Sequence, residues 1–237
     1  MVGLANTPLF RQTLNKLYTT MKTDEMIQKD VMEELRWDPI LNACKIGVAV
    51  SEGVVTLSGE VNTYRKKIAT EHAAQRVEGV RAIVQEIIVT PVSVNQYSDL
   101  QIAHAIISSF EWHTEIPHED LKIKVQKGWV TLEGEVNWNY QRQAAERMVS
   151  SIGGVKGLTN LIIVKPIVEA QDVKNKISNA LKRSAIVKAQ KIKVETNGNK
   201  VTLAGRVRSW YERRAAEAAA WSAPGITSVV DNITISA

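Results

Sequence analysis

Cysteine is nearly absent from this chain. The single thiol, Cys44, excludes an intramolecular disulfide and any metal site built from several cysteines. Long apolar runs are missing too: none approaches the roughly 18–20 residues that a membrane-spanning helix needs. The first twenty residues, MVGLANTPLFRQTLNKLYTT, lack the apolar core of about 7–15 residues found in a secretory signal. With Met1 as the natural start, the expected location is cytoplasmic or peripheral to the inner membrane. It is periplasmic if an export signal has been removed. Acidic residues are scarce at the two ends. Residues 1–23 carry three bases and no acid, and residues 168–237 carry twelve bases against six acids, while the 237-residue chain nets only +5. That asymmetry bears on partners and not on the fold.

What the chain does have is a phrase written three times. GVVTLSGEV at 53–61 returns as GWVTLEGEV at 128–136 and as NKVTLAGRV at 199–207, with Gly59, Gly134 and Gly205 spaced 75 and 71 residues apart. A period of that length marks a repeated folding unit. The units are expected at 24–92, 98–167 and 168–237, behind a basic extension over 1–23.

Each unit opens with an apolar stripe at i, i+4, i+8: Ile27, Val31, Leu35; then Ile102, Ile106, Phe110; then Val173, Ile177, Leu181. This spacing predicts an amphipathic helix, for which Asp24 and Asp99 are suitable N-caps. Alternating residues follow (Ile46, Val48, Val50; Leu121, Ile123, Val125; Ile192, Val194), then a turn at Gly53, Gly128 or Asn197-Gly198. Together with the repeated phrase they predict a hairpin. Gly59, Gly134 and Gly205 fall at inward positions, where a helix or a neighbouring backbone approaches closely or the strand bends, and the favoured expectation is that they make room for a helix. A second helix is lined by Ala69, Ala73, Val77; Ala144, Met148, Ile152; and Ala215, Ala219. Gly79, Gly154 and Gly225 are expected to end it as left-handed caps. A last strand carries Ile83, Ile87, Val89 and its counterparts. The predicted fold class is α+β: three tandem α-β-β-α-β units, each a three-stranded mixed sheet with two helices on one face and strand three parallel to strand two. The short linkers lead us to expect that Val84, Ile88, Leu161 and Ile163, outward on the last strands, are partly covered by another unit or by residues 1–23.

This order of elements resembles the BON domain, named for bacterial osmotic-stress and nodulation proteins. The carrying residues are Val55, Thr56, Leu57, Gly59, Val61, Ala69, Glu71, Gly79 and Val80 in the first copy. The second copy matches at Val130, Thr131, Leu132, Gly134, Val136, Ala144, Glu146, Gly154, Val155 and Asn160, the third at Val201, Thr202, Leu203, Gly205, Val207, Ala215, Glu217, Gly225 and Ile226. The resemblance implies a non-catalytic module that associates with phospholipid membranes, often in envelope maintenance or stress protection. Many relatives carry two copies and are exported or lipid-anchored. This chain has three copies and no lipid-anchor cysteine near its start. No catalytic set and no cofactor is carried over.

The residues themselves suggest little reactive chemistry. His113 and His118 sit among Glu111, Glu115, Glu119 and Asp120, which admits a zinc site or a solvated acidic loop. Glu71, Glu146 and Glu217 recur in register without a partner base or nucleophile, which reads as a structural or surface group. Gly154-Val155-Lys156-Gly157 has the spacing of a nucleic-acid backbone clamp, but it leads from helix to strand and its counterparts lack the second glycine, which argues against nucleic acid.

Aromatic residues gather at one pole of each unit. Trp37 and Trp112 end the first helix, where the third copy has Arg183, and Tyr64, Trp138, Tyr140, Trp210 and Tyr211 open the second. They either pack between the helices as core edges or face a lipid headgroup layer. The expected lipid-binding residues are Lys182, Arg183, Arg208, Trp210, Arg213 and Arg214, facing an anionic phospholipid surface. The alternative is a protein-interaction scaffold that forms homo-oligomers or docks on an envelope complex. Phe10, Leu14 and Leu17 align as a possible apolar stripe within the basic extension.

Overall fold

The computed structural model describes residues 22–41, 45–91, 97–165, 173–184 and 192–235. The stripe formed by Phe10, Leu14 and Leu17 lies outside them.

The first module runs α1 (Asp24–Trp37), β1 (Ile46–Ser51), β2 (Val54–Val61), α2 (Tyr64–Arg76) and β3 (Ala82–Val89). The second runs α3 (Asp99–Glu111), a 3-10 turn (His118–Asp120), β4 (Leu121–Gln126), β5 (Trp129–Val136), α4 (Asn139–Ser150) and β6 (Gly157–Val164). The third runs α5 (Val173–Arg183), β7 (Ile192–Asn197), β8 (Lys200–Val207), α6 (Trp210–Trp221) and β9 (Ser228–Ile235). Every sheet has the hairpin's second strand in the middle, antiparallel to the first and parallel to the last. The α+β reading and the repeated α-β-β-α-β order therefore stand.

Each module has its own core, because each alternation delivers one apolar face to two helices. In the second, Ile102, Ile106 and Phe110 of α3 lie on Val130, Leu132 and Ile162 of the sheet, all essentially inaccessible. Burying side chains of this size contributes about 1.5–3 kcal/mol each. The second helix keeps Ala73, Val77 and Ala144 of its expected lining buried but is turned slightly from the expected orientation. Thr70, Ala73 and Ala74, then Ala144, Ala145 and Val149, then Ala216 and Ala220 are the buried positions, whereas Ala69, Met148, Ala215 and Ala219 are only half-buried. Small residues there bring the helix axis close to the sheet.

Three local expectations are corrected. Thr23 and Ser98, not the aspartates, cap α1 and α3, accepting from Met26 and Gln101 backbone N–H groups. Asp24 and Asp99 reach instead across the module. Their carboxylates accept from both N–H groups of the hairpin turn, Glu52 and Gly53 at 2.7 and 2.9 Å and Lys127 and Gly128 at 2.7 and 2.8 Å. Those turns hold positive φ at Glu52 and Lys127, so the carboxylate ties down a strained hairpin tip. Second, Gly79 and Gly154 are left-handed but lie three and four residues beyond the ends of α2 and α4. A Cβ at either would meet an isoleucine of the first helix, Ile27 or Ile102, at 3.0 Å.

The third correction concerns the repeated phrase. Gly59 and Gly134 have φ of +128° and +131°, and a side chain there would collide with the backbone carbonyls of Lys45 and Asp120, at the entrance to the neighbouring strand. The glycine admits a strand's backbone, not a helix. We expect Gly134→Ala to cost at least about 2 kcal/mol in urea unfolding, through a forbidden φ plus a backbone clash. Gly198→Asn, at φ +55° with nothing within 4 Å, should cost under about 1 kcal/mol. Equal losses for the two variants would contradict this account.

Candidate functional site

Val84, Ile88, Leu161 and Ile163 are 42%, 62%, 52% and 57% exposed, short of full solvation, and most of the extension expected to cover them lies outside the described residues. The modules meet along their second helices. The stripe that does not face its own sheet is Tyr64, Ile68, Glu71, His72 and Gln75 on α2. The same register gives Gln143, Glu146, Arg147 and Ser150 on α4, and Trp210, Arg214, Glu217, Ala218 and Trp221 on α6. These faces enclose an open cleft of about 860 Å³.

The contacts across this junction share a register and a direction. Tyr64, first residue of α2, packs on the core of the second module as well as on its own. Trp210, its equivalent on α6, packs on the core of the first. Trp221 joins the second and third cores, with the Arg142 guanidinium 5.2 Å from its ring centroid. Arg214 Nη1 donates to Gln75 Oε1 at 2.9 Å, linking the third module back to the first. A head-to-tail contact that repeats and returns to its start is the pattern of a closed ring.

A polar position on each last strand anchors the second helix. Asn160 Nδ2 donates to the Arg142 carbonyl and to Glu146, Gln85 Nε2 donates to the Lys67 carbonyl, and Asp231 takes Arg213 Nε at 2.6 Å. Sequence reasoning singled out only Asn160, and only as part of a motif. The signal for the others was the shared register of Gln85, Asn160 and Asp231 at inward strand positions.

The expected lipid-binding set is divided by the structure. Lys182, Arg183 and Arg208 are exposed. Trp210 is half-buried at the junction, its indole N–H without an acceptor among the described residues. Arg213 lies 4.9 Å from the Trp210 ring centroid and is paired with Asp231, while Arg214 lines the cleft. Trp37 and Trp112 do not pack between helices. They are 84% and 88% exposed. The acidic loop of His113 and His118 borders a small hollow, and among the described residues no group of three or more His, Cys, Asp or Glu is placed to hold a metal.

The electrostatics of the cleft differ along its length. Burial, followed by the Arg214 and Arg76 guanidinium charges, pushes His72 down to about 4. Burial, followed by Glu146 and Glu71, raises the Tyr64 phenol. Glu71, Glu146 and Glu217 all reach this cleft, so the recurrent glutamate lies at the junction of the modules. Glu71 accepts from Gln75 and Glu217 from Trp221.

The family model described as BON domain matches three times, at residues 23–91, 98–166 and 170–237. No curated protein matches the chain. Solved structures that it matches include two of CdsD, a structural protein of the type III secretion system of Chlamydia trachomatis, one of them its C-terminal domain. Each is 13% identical over 88% of this chain, with 91% and 96% of the CdsD chains covered and a TM-score of 0.25, a level that carries no structural argument.

His72 has a testable consequence for the junction. Its folded pKa lies below the 6.5 of a free imidazole, so the unfolded chain binds more protons between about pH 6.5 and 4. His72 therefore lowers stability as pH falls through that window. Chemical melts of wild type and His72→Gln should diverge between pH 6.5 and 4, with wild type losing more. Parallel pH profiles would contradict the placement of His72 between two arginines.

Proposed function

The chain belongs to the BON domain family, and from that premise we propose that it is a non-catalytic module binding anionic phospholipid surfaces, in envelope maintenance or stress protection. The observation that carries this reading is the exposure of Trp37 and Trp112. Two tryptophans at equivalent positions of successive modules stand almost wholly in solvent, although each has an apolar body whose exposure costs free energy in water. Indole rings of this kind are well placed in the headgroup layer, where the ring is apolar and the N–H is wet. In a head-to-tail ring, equivalent positions lie on one face, so Arg183 of the third module joins the two tryptophans there. Lys182, next to Arg183, and the exposed Arg208 add charge in the same module. Each basic residue near an anionic surface contributes about 1 kcal/mol, enough in sum for reversible docking without an inserted anchor. No described helix is long and apolar enough to cross a membrane.

The half-exposed Ile88, Leu161 and Ile163 favour a second reading, a scaffold that binds protein or another copy through its sheet faces.

Co-sedimentation separates the two. We expect binding to phosphatidylglycerol vesicles at low ionic strength, little to phosphatidylcholine, and steep loss with salt. Trp37→Ala with Trp112→Ala should weaken binding at least about tenfold, the loss expected when two indoles leave the interface. Lys182→Glu, Arg183→Glu and Arg208→Glu together should abolish it, with the melting transition unchanged. Unaltered binding in both variants would place the surface elsewhere, and no binding to either vesicle would favour the scaffold.

A further inference from the structure

The central cleft is lined by four arginines and three glutamates, and among the described residues no ion pair joins one of these arginines to one of these glutamates. Arg147 and Arg214 line it, and among the described residues neither pairs with a carboxylate. The third guanidinium, Arg142, is committed to the Trp221 ring, and Arg76 to Glu34 and Asp38. The three glutamates are held by neighbours on their own modules: Gln75 on Glu71, Asn160 on Glu146, Trp221 on Glu217. Arg147 and Arg214, the latter bonded only to the neutral Gln75 amide, thus line the cleft without a carboxylate partner, together with His72 and Trp210, whose indole N–H has no acceptor among the described residues.

We propose that this cleft is a binding site for a small phosphate-bearing anion, whose oxygens accept from Arg147 and Arg214. A guanidinium offers parallel N–H groups that match phosphate oxygens, and such charge-assisted bonds are about twice as strong as neutral ones. The site is built from all three modules: Arg147 comes from the second, Arg214 and Trp210 from the third, His72 from the first. A single module or a pair would hold only part of it, which gives the third copy a role beyond added surface. The depressed pKa of His72 accords with a positive potential at this end of the cleft. This site is separate from the exposed tryptophans and does not depend on membrane docking.

The test is a titration of the full chain with inorganic phosphate at pH 6.5, exchanged against chloride at constant ionic strength, read from the histidine ring resonances. His72 should shift saturably. His104, His113 and His118, outside the cleft, should stay in place. Arg147→Gln, at an exposed position on α4, and Arg147→Gln with Arg214→Gln should each weaken the His72 response, the pair at least about tenfold, as expected for losing two charge-assisted contacts. A His72 signal that does not move, that moves in step with the other three histidines, or that moves equally in both variants would overturn the proposal. Trp37→Ala with Trp112→Ala should leave the His72 response intact, so failure here and failure at the membrane face are told apart. Phosphatidylglycerol vesicles that displace phosphate from His72 would identify the ligand as a lipid headgroup. Undisturbed phosphate binding beside vesicles would identify it as a free solute.

Discussion

The second helix of each module must satisfy two neighbours at once, and the rest of the molecule follows from how it does so. One side, lined by Thr70, Ala73 and Ala74 and their counterparts, lies on its own sheet. The adjacent side, from Tyr64 to Gln75, lies on the other modules. The side toward the sheet must be small, since bulk there would separate the helix from Leu57 and Val55, whereas the side toward the junction must span the gap to the other modules. Alanine meets the first demand. The second is met by long polar side chains that reach across and by two aromatic residues, Tyr64 and Trp210, that bridge to the next core.

This double use explains why the cleft is polar. An apolar junction on all three helices would make each module insoluble alone during folding and prone to non-specific association. A polar one joined by Arg214–Gln75, Arg142 over Trp221 and the Tyr64 contact keeps each core self-sufficient while still fixing the neighbours. The membrane-facing role proposed for Trp37 and Trp112 then needs no further device, because equivalent positions of a head-to-tail ring share a face.

Much of the fold was legible in the sequence. Strand alternation and the i, i+4, i+8 stripes mark cores through simple burial, and Ile102, Ile106 and Phe110 lie where their spacing placed them. Three repeats in register made the turn positions plain. The contacts between modules were not legible, for a physical reason. Periodicity reports which face of a helix is apolar, and the junction face is not apolar, so Glu71 reads as a structural or surface group, Arg214 as a lipid-facing cation, and nothing in the pattern marks His72 or Arg147. The same limit misassigned Trp210. On the helix it stands beside Arg213 and Arg214 like a headgroup-facing residue, yet it covers the core of the first module. The strand glycines were recognised as close contacts, but alternation does not reveal that the approaching group is the carbonyl of Asp120 or Lys45.

The account places two tryptophans outside, at a lipid surface, and two inside, at the junction. Fluorescence quenching by vesicles of brominated phosphatidylglycerol tests that division directly, with single-tryptophan variants reporting one position at a time. Trp37 and Trp112 should be quenched strongly, as expected for rings in the headgroup and upper acyl region, while Trp210 and Trp221 keep their emission. Quenching of Trp210 and Trp221 with Trp37 and Trp112 untouched would show that the ring opens at the membrane, and the account would be wrong.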